Sequence, residues 1–207
     1  MQSSADLLDY SAALRTLAIT LTRICNDLRL LSSGPSNGLG EIQLPALQPG
    51  SSIMPGKVNP AMPEMATMVC FRVIGNDQIV MMAAQAGQLE LNVMTPIIVY
   101  ALLESLGILT RSLNVLTAKC ITGITADAQR CLQYAERSGS LATALNPYIG
   151  YAAAAKVAQE ALARGVSLRQ VALERGLLSS EELDIILDPR TMTEPGIPGK
   201  KLDEAKD

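Results

Sequence analysis

Two hydroxyls, an amine and an amide fall within nine residues of one another in Gly50-Ser51-Ser52-Ile53-Met54-Pro55-Gly56-Lys57-Val58-Asn59-Pro60. Ser51 and Ser52 offer oxygens, Lys57 a cation on a flexible stem, and Asn59 a neutral donor. Gly50 and Gly56 can take positive φ and let backbone N–H groups approach a ligand closely. Pro55 and Pro60 hold their own φ and bias Met54 and Asn59 towards extended backbone. Pro60 suits the first position of a helix with Asn59 as its cap, so the stretch reads as a polar loop ending at a helix N-terminus. Partial positive charge there favours anions, and the combination suits a dicarboxylate.

The elements that must position this loop are helical. Ser3 to about Leu31 carries apolar residues at helical spacing, with Ser3 or Ser4 as cap and a polar stripe of Arg15, Arg23, Asp27 and Arg29 that reads as a solvated or salt-bridged face. Ser32-Ser33-Gly34-Pro35 stops it, and a Gly/Asn/Pro-rich loop runs to Pro49. Beyond the signature loop, Pro60 to about Ala84 predicts a helix of roughly 38 Å at 1.5 Å per residue. Only Glu64, Arg72 and Asp77 are charged on it, so it belongs inside a bundle. Gly87 to Met94 breaks the pattern, and Thr95-Pro96 caps a third helix reaching about Lys119, with Glu104 and Arg111 as its interior charges. Three helices cannot cover surfaces this apolar, so helices from partner subunits are expected.

After Ile121-Thr122-Gly123 the helices become short and individually capped. Thr125 opens one that runs to about Arg137, and another spans Tyr151 to Arg164 before Gly165. Ser167-x-x-Gln170 and Ser179-x-x-Glu182 have the form of capping boxes, closing at Gly176 and at Asp188-Pro189. The expectation is an all-α chain: residues 1–121 as part of a long-helix bundle, and 122–207 as a small helical domain with a flexible tail.

Composition narrows the function. Apolar residues make up 48% of the 207, aromatics 3%, and there is no Trp, so the core is aliphatic and methionine-filled. A net charge of −3, from 17 basic and 20 acidic residues, gives no electrostatic case for nucleic acid or an anionic membrane. Cys25, Cys70, Cys120 and Cys131 lack metal-type spacing and read as buried reduced thiols of a cytoplasmic protein. Gln85, Gln88, Glu90 and Asn92 interrupt the most apolar region, so no membrane span is expected.

The run from Gly50 to Pro60 resembles, without departure, the signature loop of the aspartase/fumarase superfamily of lyases. The resemblance extends through Ile24-Cys25-Asn26-Asp27-Leu28-Arg29, through Gly87-Gln88-Leu89-Glu90-Leu91-Asn92-Val93-Met94, and on to Met192-Thr193-Glu194-Pro195-Gly196, which covers nearly the whole chain. It implies a homo-oligomer, a tetramer, that abstracts a proton beside a carboxylate with no metal or organic cofactor. Ser51 would be the base, acting as an alkoxide; Ser52 would bind one substrate carboxylate, and Lys57 and Asn59 the other. Gly50 and Gly56 would let the loop close as a lid. Glu64, by spacing alone a first-turn acid complementing the helix dipole, would by resemblance be a catalytic residue paired with the histidine of a neighbouring subunit.

This chain has no histidine. Family members are longer and carry that histidine, with threonine-rich loops, ahead of the region matched here. The chain therefore resembles a C-terminal portion and is expected to be inactive alone. Residues 86–94 and 192–199 look more like aspartases than fumarases, which points to L-aspartate giving fumarate and ammonia. Hydration of fumarate is the alternative within the same loop chemistry. A helical assembly module without turnover is the alternative outside it.

Overall fold

A computed structural model of the chain describes residues 2–34, 36–197 and 199; the last part of the expected flexible tail, from 200 onward, lies outside them. Two compact units are formed, Met1–Asp127 and Ala128–Asp207.

The first unit is built on three long helices, α1 (Ala5–Leu31), α2 (Ala61–Ala84) and α3 (Thr95–Lys119). α2 packs along both of the others. Three apolar layers fill the seams. Leu7, Leu8 and Leu14 surround Val80, Ala83, Ile98, Ala101 and Leu102. Ala18 meets Cys70, Val73 and Leu109, and Cys25 meets Ala66, Leu116 and Cys120. Low numbers on α1 meet high numbers on α2, and high numbers on α2 meet low numbers on α3, so the helices run up, down, up. The end of α1, the start of α2 and the end of α3 therefore share one end of the bundle. Burial pushes the Cys25, Cys70 and Cys120 thiols up from their ordinary values, which keeps them protonated and inert near neutral pH.

The few charges on these apolar helices are cross-links. Asp77, 2% exposed, accepts hydrogen bonds from Ser11 Oγ and Arg15 Nη1, both at 2.7 Å, and ties α2 to α1. Asn76 ties α2 to α3: its amide donates to Glu104 Oε2 at 2.7 Å and Ser105 Oγ at 3.0 Å. Arg72 grips the same Glu104 through Nε and Nη2 at 3.1 and 3.2 Å. These donors, Asn76 first, hold the Glu104 carboxyl below the usual carboxylate range. By length and composition the helical stretch Thr95–Gly123 is apolar enough to cross a bilayer, against expectation, because it begins after Gln85, Gln88, Glu90 and Asn92. Its buried positions nevertheless pack on α2.

Between α2 and α3, Leu89 and Glu90 take φ of 44° and 68° in a tight turn closed by Gln88 and Leu91. Asn92 splices the two helices. Its Nδ2 donates to Ala83 O at 3.0 Å, closing α2, and its Oδ1 accepts from Met94 N at 2.9 Å, opening α3. Thr95, expected to cap α3, instead donates its hydroxyl back to Asn92 O, and Met94 holds the cap position without a side-chain bond. The Gly/Asn/Pro-rich loop ahead of Pro49 contributes one short strand, β1 (Ile42–Gln43), which pairs antiparallel with β2 (Thr125–Ala126). Thr125 thus ends the first unit as a strand rather than opening a helix, and α4 begins at Ala128. That pairing, with Asp127 N donating to Glu41 O, carries the unit boundary past residue 121.

The second unit opens with α4 (Ala128–Arg137), which buries no residue, and holds α5 (Asn146–Ile149), α6 (Tyr151–Arg164), α7 (Leu168–Glu174) and α8 (Ser180–Ile186) around Leu145, Val157, Val171, Ala172 and Leu183, all 0% exposed. α6 ends at Gly165, whose φ of 66° suits glycine. Ser179 and Glu182 form a complete capping box. The expected box at Ser167 is half made: Ser167 accepts from Gln170 N, but the Gln170 side chain donates to Glu174 instead.

Removing the buried carboxylate should be costly. Asp77→Ala leaves the Ser11 hydroxyl buried without its acceptor, while half-exposed Arg15 can turn to water. A loss of about 3 kcal/mol is expected, read as a lower urea midpoint at unchanged slope. The capping box makes a pH prediction. The Ser179 amide, then its hydroxyl, holds the Glu182 carboxyl below its ordinary 4.5. The folded value is the depressed one, so this contribution is present above pH 4.5 and fades as pH falls through the folded value. Glu182→Gln should flatten that part of the acid stability curve.

Candidate active site

The signature loop sits at the bundle end where α2 begins, and its neck is strapped shut. Gly50 N donates to Lys57 O at 2.7 Å, and Asn59 Nδ2 donates to Gly50 O at 3.0 Å. A side chain at position 50 has no room: a Cβ there would lie 2.8 Å from Asn59 N and 2.8 Å from Lys57 O. Gly50 is thus required for close approach. Gly56, the other loop glycine, does adopt positive φ, at 77°. It follows Pro55, and Lys57 N closes back to Met54 O at 3.3 Å, which is the residue order of a type II turn.

Inside the loop, Ser51 Oγ accepts from the backbone N–H of Ile53 at 3.2 Å and of Met54 at 3.1 Å. Two amide dipoles converging on one hydroxyl oxygen favour negative charge on it. Ser52 and Lys57 are exposed along the same loop, and Ile53 is 85% exposed at its tip. An open cleft of about 520 Å³ runs beside them, lined by Leu47, Gln48 and Pro49 on one side and Ser51, Met54 and Lys57 on the other. Polar groups for an anion are on the loop; the other lining residues are apolar apart from Gln48.

Asn59 was expected to cap α2, and it does not. The helix starts at Ala61, Pro60 holds the cap position without a side-chain bond, and the Asn59 amide crosses the neck instead. Pro60 has φ of −76° and ψ of 59°, a turn between Asn59 and the helix that accompanies the amide's reach to Gly50 O. One of the two Asn59 amide hydrogens serves the strap, which leaves the other for a ligand. Glu64, in the first turn of α2, directs its carboxylate to α1, where Arg29 Nη2 lies 3.8 Å from Oε1. The structure thus gathers Gly50, Ser51, Ser52, Gly56, Lys57 and Asn59 on one strapped loop, and sets Glu64 beside it against a different helix. By sequence Arg29 falls in a polar stripe and at the end of the resembling segment 24–29, without a partner; its place in the last turn of α1 is a further signal. Among the described residues no group of three or more Cys, Asp or Glu side chains gathers as a metal set.

Known proteins resemble this chain in sequence and in fold. A family model described as Lyase matches residues 1–75, and one described as Fumarase C C-terminus matches 141–194. Aspartate ammonia-lyase of Bacillus subtilis (strain 168) is 51% identical over 194 residues, 94% of this chain and 41% of that protein. Its counterpart in Escherichia coli (strain K12) is 52% identical over 189 residues, 91% of this chain and 40% of that one. Among solved structures, a fumarate lyase:delta crystallin from Brucella melitensis, crystallised with cobalt, matches 93% of this chain and 42% of its own at 52% identity and a TM-score of 0.89. A recombinant class II fumarase from Schistosoma mansoni matches 94% and 41% at 42% identity and a TM-score of 0.85. The chain spans about two fifths of the length of the curated relatives it matches.

The strap can be tested without any assay of function. Gly50→Ala should push Lys57 O and Asn59 away and break the 2.7 Å neck bond. Hydrogen exchange at the residue-50 amide is expected to lose its protection, with exchange in α1, α2 and α3 unchanged. Protection retained at residue 50 would mean that the neck accommodates a side chain.

Proposed function

The chain belongs to the aspartase/fumarase superfamily, and from that premise we propose that it supplies the base and the anion-binding loop of an enzyme that eliminates ammonia from L-aspartate to give fumarate. The observation that carries this reading is Ser51 Oγ held between the amides of Ile53 and Met54 on a strapped loop that also bears Lys57.

The chemistry is demanding because the proton to be removed lies beside a carboxylate that is already anionic. Its removal puts a second charge on that group, so the barrier falls only if fixed donors and cations face the developing dianion. On this reading the Ser51 alkoxide takes the Cβ proton. The electron pair left behind moves into the neighbouring carboxylate as an aci-carboxylate dianion, opposed by the Lys57 ammonium and the second Asn59 amide hydrogen. Collapse of the dianion forms the carbon–carbon double bond and breaks the Cα–N bond. The ammonium group departs as neutral ammonia and needs no proton at that step. Ser52 holds the other carboxylate.

A bare serine is too weak a base in water. The two amides that point at Ser51 Oγ lower the cost of its anion, and closure of the loop over the open cleft excludes the water that would otherwise protonate it. By the family resemblance the partner of the Glu64 carboxylate is a histidine, and this chain contains none. A homotetramer is part of the same reading, on a separate observation. Met68, Phe71 and Met82 on α2, with Tyr100 and Leu103 on α3, are 59–63% exposed, an apolar surface suited to further helices. Reduced, protonated core thiols suit a cytoplasmic setting.

Fumarate hydration is the second reading, favoured by the likeness to a class II fumarase. Its lower identity at equal coverage ranks it behind aspartate.

Fumarate absorbance with L-aspartate as substrate tests the proposal. We expect no turnover from the chain alone and turnover once the N-terminal portion of a relative is supplied. In that assembly Ser51→Ala should cut kcat by about 10³-fold or more, as loss of a general base does, with the oligomer intact. Near-normal turnover in the variant would remove Ser51 from the role of base. Malate formed from fumarate, with no ammonia released from aspartate, would select the fumarase reading. An assembled oligomer that turns over neither substrate would leave the chain as a helical assembly module.

A further inference from the structure

Arg29 occupies the last turn of α1 and Glu64 the first turn of α2, and the antiparallel packing of these helices puts the two side chains across one seam at the loop end of the bundle. Arg29 is braced from its own helix: Nη1 donates to Asn26 Oδ1 at 3.3 Å, while Nη2 faces Glu64 Oε1 at 3.8 Å. The contrast with the Arg72–Glu104 pair, bidentate at 3.1 and 3.2 Å, is informative. The Glu64 carboxylate is attracted without being saturated. One oxygen is turned to the guanidinium, the other stays open, and the side chain is 39% exposed to whatever approaches the loop.

We infer that Arg29 is a positioning residue, which holds the Glu64 carboxylate in the orientation that receives a cationic donor from outside this chain. The inference rests on the reading of Glu64 under Proposed function. Helix dipoles favour both residues where they are, Glu64 against the positive start of α2 and Arg29 against the negative end of α1. That effect acts on each residue alone, whereas positioning requires the two to act as a pair. Coupling therefore separates them.

A double-mutant cycle in the assembly completed with a relative's N-terminal portion measures it. Arg29→Gln should lower kcat about fivefold, the scale of a half-exposed ion pair, with KM within twofold, and Arg29→Lys should recover most of the loss. On a Glu64→Gln background, Arg29→Gln should change nothing further. Unchanged kcat, or effects that simply multiply, would overturn the inference. A second readout needs no turnover: in the carbon-13-labelled chain alone, the Glu64 side-chain carboxyl resonance should move with Arg29→Gln and stay put with Arg23→Gln. An unmoved resonance would also overturn it. A moved resonance with no turnover in any assembly would instead sink the lyase reading and leave the pairing intact.

Discussion

The α-carbon of Gly50 lies so close to Lys57 and Asn59 that nothing larger than hydrogen fits on it, and both its amide and its carbonyl are engaged across that gap. Closing this neck turns residues 51–58 from a flexible connection into a small fixed head. Within it the Pro55-Gly56 turn sends the chain back, and the Ser51 oxygen meets two amides that an extended chain would have left to water. Ordering a loop of this length costs conformational entropy, and the neck confines that cost to few residues. Position 50 is therefore where the chemistry of the loop is decided, although it carries no side chain.

The scaffold beneath follows a related rule, in which apolar helices are fixed in register by a few buried polar contacts. Aliphatic layers alone would let α1, α2 and α3 slide, because alanine, valine and leucine rows look alike one turn along. Asp77 with Ser11 and Arg15, and Asn76 with Glu104 and Ser105, exist only at one register. Buried polar groups left unpaired cost more than their pairing returns, so a slipped helix is penalised. The register matters functionally because it also decides that the end of α1 meets the start of α2, and so that Arg29 faces Glu64.

The loop's helical anchor shows how two local preferences compete. An Asn-Pro pair ahead of an apolar helix favours a capping asparagine, and the first turn of α2 is otherwise well suited to one. The neck takes the same amide to Gly50 O, while the first turn of α2 offers a cap little: Ala61 N already donates to Asn59 O and Pro63 has no N–H. A comparable exchange occurs at Gln170, drawn from its half-made capping box to Glu174, and at Thr95, drawn back to Asn92.

Sequence alone determined the features that depend on spacing within one segment. Long apolar runs at helical period made α1, α2 and α3 legible almost to their ends, Ser179 and Glu182 announced their own cap, and the run from Gly50 to Pro60 announced a polar loop leading into a helix. These rest on interactions between residues a few positions apart, whose geometry the chain's periodicity sets directly. Tertiary structure decided what depends on residues far apart in the chain. Thr125 became a strand because Gln43 offered it a pairing edge 82 positions away, and Asn59 became a strap because Gly50 came within reach. Arg29 left the anonymity of a polar stripe only when an antiparallel helix brought Glu64 opposite it. Local pattern carries no information about which distant groups will meet, because that is fixed only once the apolar layers have packed and the register is chosen.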